Sequence, residues 1–219
     1  MSIVPCYLRG THIRTPDGER RIEELKICDP VVTLSGESKP IKWIGHQRFK
    51  KSNECWPKDF EPIRVSRFAF EERTPHRDLY LSPNHRIYID GALIPAKYLV
   101  NGRSITQCAP EGANVIEYLH IELFANDVIY AEGLTAETFG PWPGGRDHFD
   151  NFAEYYRLYP NEDETPEPAV HAQIFWGHTR VERTLQPFYA LLAPWIDMRT
   201  TVDRIRDRIA ARAKDLIDQ

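Results

Sequence analysis

Two short stretches carry residue types that could do chemistry together. Near the N-terminus lies Pro5-Cys6-Tyr7-Leu8-Arg9-Gly10-Thr11, and far downstream lies Leu81-Ser82-Pro83-Asn84-His85. A thiol is the strongest uncharged nucleophile among side chains. An imidazole is the one group whose ordinary pKa lets it give or take a proton near neutrality. A hydroxyl three residues before it, at Ser82, could hydrogen-bond a reacting group beside the imidazole. Cys6 is therefore the candidate nucleophile, His85 the candidate acid, and Ser82 a candidate hydrogen-bonding partner. Each has a plainer explanation. A lone cysteine is most often a small buried hydrophobe, and Ser-Pro-Asn-His is ordinary turn chemistry at the start of a strand.

The elements that would have to position these groups are short and alternating. From Thr11 to about Phe139 the pattern is that of an all-β domain. Thr11–Thr15 leads into Asp17-Gly18, which is expected to form a two-residue hairpin turn. Further strands are expected at Val31–Leu34, Ile41–Gly45, Ile63–Phe70, Asp78–Ser82, Arg86–Asp90, Val115–Leu123 and Asp127–Ala131, with single helical turns at Ile22–Leu25 and Pro95–Leu99. Gly140-Pro141-Trp142-Pro143-Gly144-Gly145 cannot continue a ladder and sets a boundary. The division is residues 1–139 as a β domain and 140–219 as linker and helical region, with an acidic, proline-rich break at Tyr159–Pro168. Gln186–Met198 and Asp203–Ile217 read as helices, the second with Ile205, Ile209, Ala213 and Ile217 on one stripe. A chain ending near Phe139 is expected to stay folded by itself.

Taken in order, the motifs resemble the Hint (Hedgehog/intein) superfamily, in particular its bacterial type. They are the Cys6 segment, Thr15-Pro16-Asp17-Gly18, Ile22-Glu23-Glu24-Leu25, Val31-Val32-Thr33-Leu34 and Pro40-Ile41-Lys42-Trp43-Ile44-Gly45. Asp78–Gly91, Leu93-Ile94-Pro95-Ala96, Leu99-Val100-Asn101-Gly102 and Asp127–Glu137 complete the set. The resemblance spans about residues 5–139 and implies a mainly β, Hint-like fold with a mostly helical C-terminal extension. It also implies autoprocessing: an N-to-S acyl shift in which Cys6 attacks the carbonyl before it and turns an amide into a thioester, assisted by His85 and Ser82. Asp78, Asp127 and Glu132 are the carboxylates nearest these motifs. Asp78 is the candidate to orient His85 or take the thiol proton, while the plain reading of all three is polar groups satisfied on a β scaffold. Trp43 reads as core. Two positions depart from the usual pattern: Cys28 stands before Asp29 where relatives carry Gly, and Asn126 stands before Asp127 where they carry His.

Full splicing is not expected, because no asparagine is followed by Cys, Ser or Thr, and Gln107-Cys108 precedes the late strands. The resemblance implies that the substrate is the protein's own upstream segment; with five residues ahead of Cys6, self-cleavage of this chain is expected to release a pentapeptide. The rival readings are a non-catalytic Hint-like scaffold that binds a protein partner through its C-terminal helices, and a cysteine hydrolase acting in trans. Composition narrows the rest. Lys and Arg total 28 against 32 Asp and Glu, for a net charge of −4, which leaves no footprint for nucleic acid. No signal peptide and no apolar run long enough for a membrane span occurs, which predicts a soluble protein, cytoplasmic or exported by a signal-independent route. Cysteines 6, 28, 55 and 108 show no C-x-x-C pairing, so neither a zinc site nor a thioredoxin-like motif is expected, and the autoprocessing that the resemblance implies calls for no metal or organic cofactor.

Overall fold

A computed structural model describes residues 4–51, 55–140, 142–162, 173–174 and 200–216. Two seven-stranded sheets make up the β domain. The first contains β1 (Tyr7–Leu8), β4 (Pro30–Val32), β5 (Ser38–Lys50), β6 (Ile63–Val65), β7 (Leu79–Leu81), β10 (Ile105–Gln107) and β11 (Val115–Leu123). Its spatial order is β10-β6-β7-β1-β11-β5-β4. The second contains β2 (His12–Thr15), β3 (Gly18–Arg21), β8 (Arg86–Ile89), β9 (Ala92–Pro95), β12 (Val128–Ala131), β13 (Leu134–Glu137) and β14 (Gln173–Ile174). Its order is β14-β9-β8-β13-β12-β2-β3, antiparallel except where β14 runs parallel to β9. The fold is thus mainly β, as the alternation predicts.

Local turn chemistry explains most connections. Asp90-Gly91 and Glu132-Gly133 are two-residue hairpin loops with both residues at positive φ, so the primed turn matches the strand twist. The first hairpin differs from expectation by one residue. Thr15 pairs with Gly18, so the loop is Pro16-Asp17, and only Gly18 has a positive φ. Proline pre-sets the first turn position and glycine accepts the fourth, which is type I logic and not that of an Asp-Gly primed turn.

The expected strand over Ile63–Phe70 stops at Val65, because Phe68 adopts φ 64 and turns the chain. Conversely, Ile41–Gly45 is the middle of a 13-residue strand. Short helical turns at Ile22–Glu24 and Ala96–Leu99 match expectation.

Helix α1 (Phe152–Leu158) and helix α2 (Thr201–Asp215) follow the β domain. A Thr200–Asp203 capping box starts α2, and its Val202, Ile205, Ile209 and Ala213 are buried. Val202, Ile205 and Ile209 join the main apolar cluster with Ile13, Ile87 and Ile129, so the described part of the extension packs into the core and not beside it. A second cluster gathers Val4, Cys6, Trp43, Tyr118 and Phe139 with Phe149 and Tyr155 from beyond the Gly-Pro break. That contact requires Gly45, since a Cβ there would meet the Phe149 ring at 2.5 Å. The helix expected over Gln186–Met198 lies outside the described residues.

Candidate active site

Strand register brings the chemistry together. In the first sheet Tyr7 lies opposite Leu81 on β7 and opposite Leu119 on β11. One residue earlier, Cys6 therefore faces Ser82 on one side and His120 on the other. The Cys6 amide donates to Ser82 Oγ at 2.8 Å, and that hydroxyl donates to the Val4 carbonyl at 3.1 Å. In return the Ser82 amide donates to the Cys6 carbonyl at 2.9 Å. Ser82 thus clamps the backbone on both sides of Pro5, and the nitrogen of the Pro5–Cys6 amide is one of the atoms it holds.

The Pro83-Asn84 turn then closes through the His85 amide, which donates to the Ser82 carbonyl at 3.0 Å. It delivers the His85 ring onto Tyr7, with ring centroids 4.2 Å apart. A second imidazole, His120, lies 4.9 Å from the His85 ring. Both histidines are buried, and among the described residues neither nitrogen of His85 nor Nδ1 of His120 has a partner at full hydrogen-bond geometry, although the backbones of Glu137 and Cys6 lie near enough to act on His85.

Burial sets the protonation states. It pushes the Cys6 thiol well above its ordinary range and holds His85 down at about 3, where the neighbouring Arg86 cation adds to the effect. The backbones of Glu137 and Cys6 favour the imidazolium but are outweighed. His120 is lowered for the same reasons, burial first and then His85 and Arg86. At neutral pH the site therefore holds a thiol and two neutral imidazoles.

Glu137 is the carboxylate that belongs to this neighbourhood. It takes the Arg86 guanidinium at 2.7 Å and the Arg86 amide at 3.1 Å, and Tyr7 donates to its carbonyl at 3.0 Å. Burial pushes it up to about 7, with Arg86 pulling the other way.

Asp78 is not brought to the site. It binds Arg64 at 2.8 Å and the Arg67 amide at 2.8 Å. Four residues of extended chain, about 13 Å, separate it from Ser82. The register that places Ser82 beside Cys6 sends Asp78 away along β7. Asp127 pairs with Lys39 at 2.6 Å, and Asn126 accepts from Thr138 Oγ1 at 2.9 Å, so the late-block residues serve the scaffold. Trp43 is buried core, its indole donating to Glu154 at 3.3 Å. Cys28 adopts φ 72, which accounts for the glycine usual at that position.

Sequence reading missed Gln47, His120 and Glu137. The Cys6 thiol points at Gln47 Oε1, 3.9 Å away, and Gln47 Nε2 donates to the His148 carbonyl at 2.7 Å. The segment beyond residue 139 therefore reaches Cys6 through one side chain. Below it, Lys42 bulges from β5 and meets Glu122 at 3.0 Å and Glu162 at 2.7 Å, while Arg146 holds Glu122 at 2.7 Å. The one signal available for His120 was an imidazole in the short run Tyr118-Leu119-His120-Ile121, apolar on either side of it.

Residues 5–143 match the Hint domain family. The chain belongs to the Hint domain family. No curated protein matches it in sequence. Among solved structures, the intein-like domain from Clostridium thermocellum is 12% identical with a TM-score of 0.44, covering 63% of this chain and 100% of that one. A DnaB intein from Synechocystis is 10% identical with a TM-score of 0.40, covering 62% and 99% respectively. The MchDnaB-1 intein is likewise 10% identical, with a TM-score of 0.42 over 61% of this chain and 99% of that one. Hint domains form a family capable of autoprocessing. No helix among the described residues is long and apolar enough to cross a membrane.

Proposed function

We propose that this Hint domain cleaves itself ahead of Cys6 by an N-to-S acyl shift and does not splice. The observation that carries this reading is the clamp of buried Ser82 on the Cys6 amide at 2.8 Å and on the Val4 carbonyl at 3.1 Å. The acyl donor and the thiol sit on adjacent residues, and the clamp restrains the backbone on either side of Pro5, which lowers the entropic cost of bringing them together.

In the step itself, Cys6 Sγ bonds to the Pro5 carbonyl carbon and the Pro5–Cys6 C–N bond breaks. The thiol proton passes to His85 and from it to the departing nitrogen, leaving a Pro5 thioester and a free Cys6 amine. Water or an added nucleophile then releases the upstream segment. Ser82 Oγ holds the nitrogen throughout.

A second reading, a scaffold that no longer processes, is favoured by the neutral thiol and imidazoles. Separating charge in so dry a site is costly. Pro5 adds a stiff acyl donor, since its ring fixes φ.

The test is a foreign domain fused ahead of Ser2 and treated with dithiothreitol or hydroxylamine. Release by cleavage between Pro5 and Cys6, mapped by mass spectrometry, is the expected result. Cys6→Ala should abolish it, and His85→Ala should slow it by about 10²- to 10⁴-fold. Cys55→Ala and Cys108→Ala should leave it unchanged. An intact fusion in folded protein favours the scaffold reading. Rescue by Pro5→Gly alone means a competent site with too stiff a donor.

A further inference from the structure

Toward the β3 end of the second sheet lies a cluster that the acyl-shift reading does not use. Glu19 on β3, His76 in the loop before β7 and Glu132 in the β12–β13 turn each offer one ligand atom, all within 4.8 Å of one another. His76 Nε2 lies 3.0 Å from Glu19 Oε2 and 3.5 Å from Glu132 Oε2. Ligands at about 2.0–2.1 Å from a tetrahedral Zn²⁺ lie roughly 3.3 Å apart. The two distances to His76 bracket that edge.

The surroundings organise the ligands. Glu132 is buried, and its other oxygen, Oε1, takes the His12 amide at 2.8 Å and lies 2.9 Å from His12 Nδ1. The carboxylate is thereby fixed from behind with Oε2 turned to His76, as an outer-shell partner fixes a metal ligand. His76 in turn packs on Gly133, where a Cβ would come within 2.8 Å of its ring, and the His76 amide donates to the Glu132 carbonyl at 3.0 Å. Glu19 and His76 line an open cleft with Arg14, Thr15 and Gly18, which leaves a side of the cluster accessible to solvent.

What now balances the two carboxylates is Arg77, whose Nη1 lies 3.3 Å from Glu19 and 3.2 Å from Glu132. Its side chain is 53% exposed, so it can swing to water at little cost when another cation takes its place.

We infer that Glu19, His76 and Glu132 form a binding site for a divalent transition cation of the Zn²⁺ class, with the fourth position open to the cleft. One imidazole and two carboxylates neutralise the charge of such an ion. The bound ion ties β3, the chain leading into β7 and the β12–β13 turn together.

The experiment uses the full chain after treatment with a chelator and exchange into metal-free buffer. Zn²⁺ is titrated calorimetrically, and Co²⁺ is added separately for its visible absorption. One site per chain is expected, with the intense absorption of a tetrahedral Co²⁺ centre. His76→Gln and Glu19→Gln should each weaken binding at least tenfold while thermal unfolding of the metal-free protein stays cooperative. Arg77→Ala should strengthen it, because the competing cation is gone. Cys6→Ala, Cys28→Ser, Cys55→Ser and Cys108→Ser should leave it unchanged, which separates this site from thiol binding and from the acyl-shift reading. Binding kept in His76→Gln, or lost with any cysteine, overturns the inference. So does a wild-type chain that takes up no ion while Arg77→Ala does not either.

Discussion

Replacing Ser82 by alanine tests the site geometry without requiring turnover. The hydroxyl, fully buried, accepts from the Cys6 amide and donates to the Val4 carbonyl, and both of those residues are buried too. Alanine keeps the strand register and removes both bonds at once. A buried polar group left without its partner costs about 1–3 kcal/mol, so two of them should cost roughly 2–4 kcal/mol once some relaxation is allowed. That is a large share of the about 5–15 kcal/mol by which a domain is stable. Ser82→Thr keeps the hydroxyl and adds only a methyl to a filled site, and should lose about 1 kcal/mol. Equilibrium urea unfolding reads both: the midpoint should fall in the order wild type, threonine, alanine, at constant slope. An alanine variant within about 0.5 kcal/mol of wild type, or one no worse than threonine, would refute the clamp.

Other outcomes follow from particular strains and charges. Cys28→Gly should stabilise the protein by about 0.5–1 kcal/mol in the same unfolding experiment, because φ 72 penalises a side chain more than glycine's extra chain entropy costs. Ending the chain at Phe139 removes Phe149 and Tyr155 from Trp43 and Arg146 from buried Glu122. Such a chain should lose its cooperative thermal transition; a sharp transition near the wild-type temperature would restore the independence suggested by the Gly-Pro break. His85, at about 3 when folded against an ordinary 6.5, binds its proton more readily unfolded, so its contribution is present above pH 6.5 and is lost as pH falls toward 3. His85→Asn should therefore flatten the acid limb of stability by about 1.4 kcal/mol per pH unit, measured as urea midpoints between pH 7 and 4. Glu137 acts oppositely. Pushed up to about 7 from 4.5, it holds a proton when folded, so its contribution falls as pH rises through that window, and Glu137→Gln should steepen the same limb.

The sequence by itself determined the features that are local in the chain. Period-two alternation gave the β class, the four-residue spacing of Ile205, Ile209 and Ala213 gave α2, and the motif order gave the Hint resemblance with Cys6, Ser82 and His85 as its candidate centre. The β class and the helix hold because a strand's faces and a helix's stripe are decided within a few residues.

Tertiary structure alone decided which strands became neighbours. The pairing of Tyr7 with both Leu81 and Leu119 sets Cys6 between Ser82 and His120 and carries Asp78 away to Arg64. Nothing in residues 6, 82 and 120 taken separately encodes that register, because it is fixed by the burial of whole strands against two sheets. The boundary after Phe139 shows the same limit. Proline and glycine stop a ladder, but they do not prevent Phe149 from returning onto Gly45 or Arg146 from reaching Glu122. Backbone punctuation is written in the chain, whereas which surface a later segment covers depends on apolar area and buried charge that exist only once the sheets have formed.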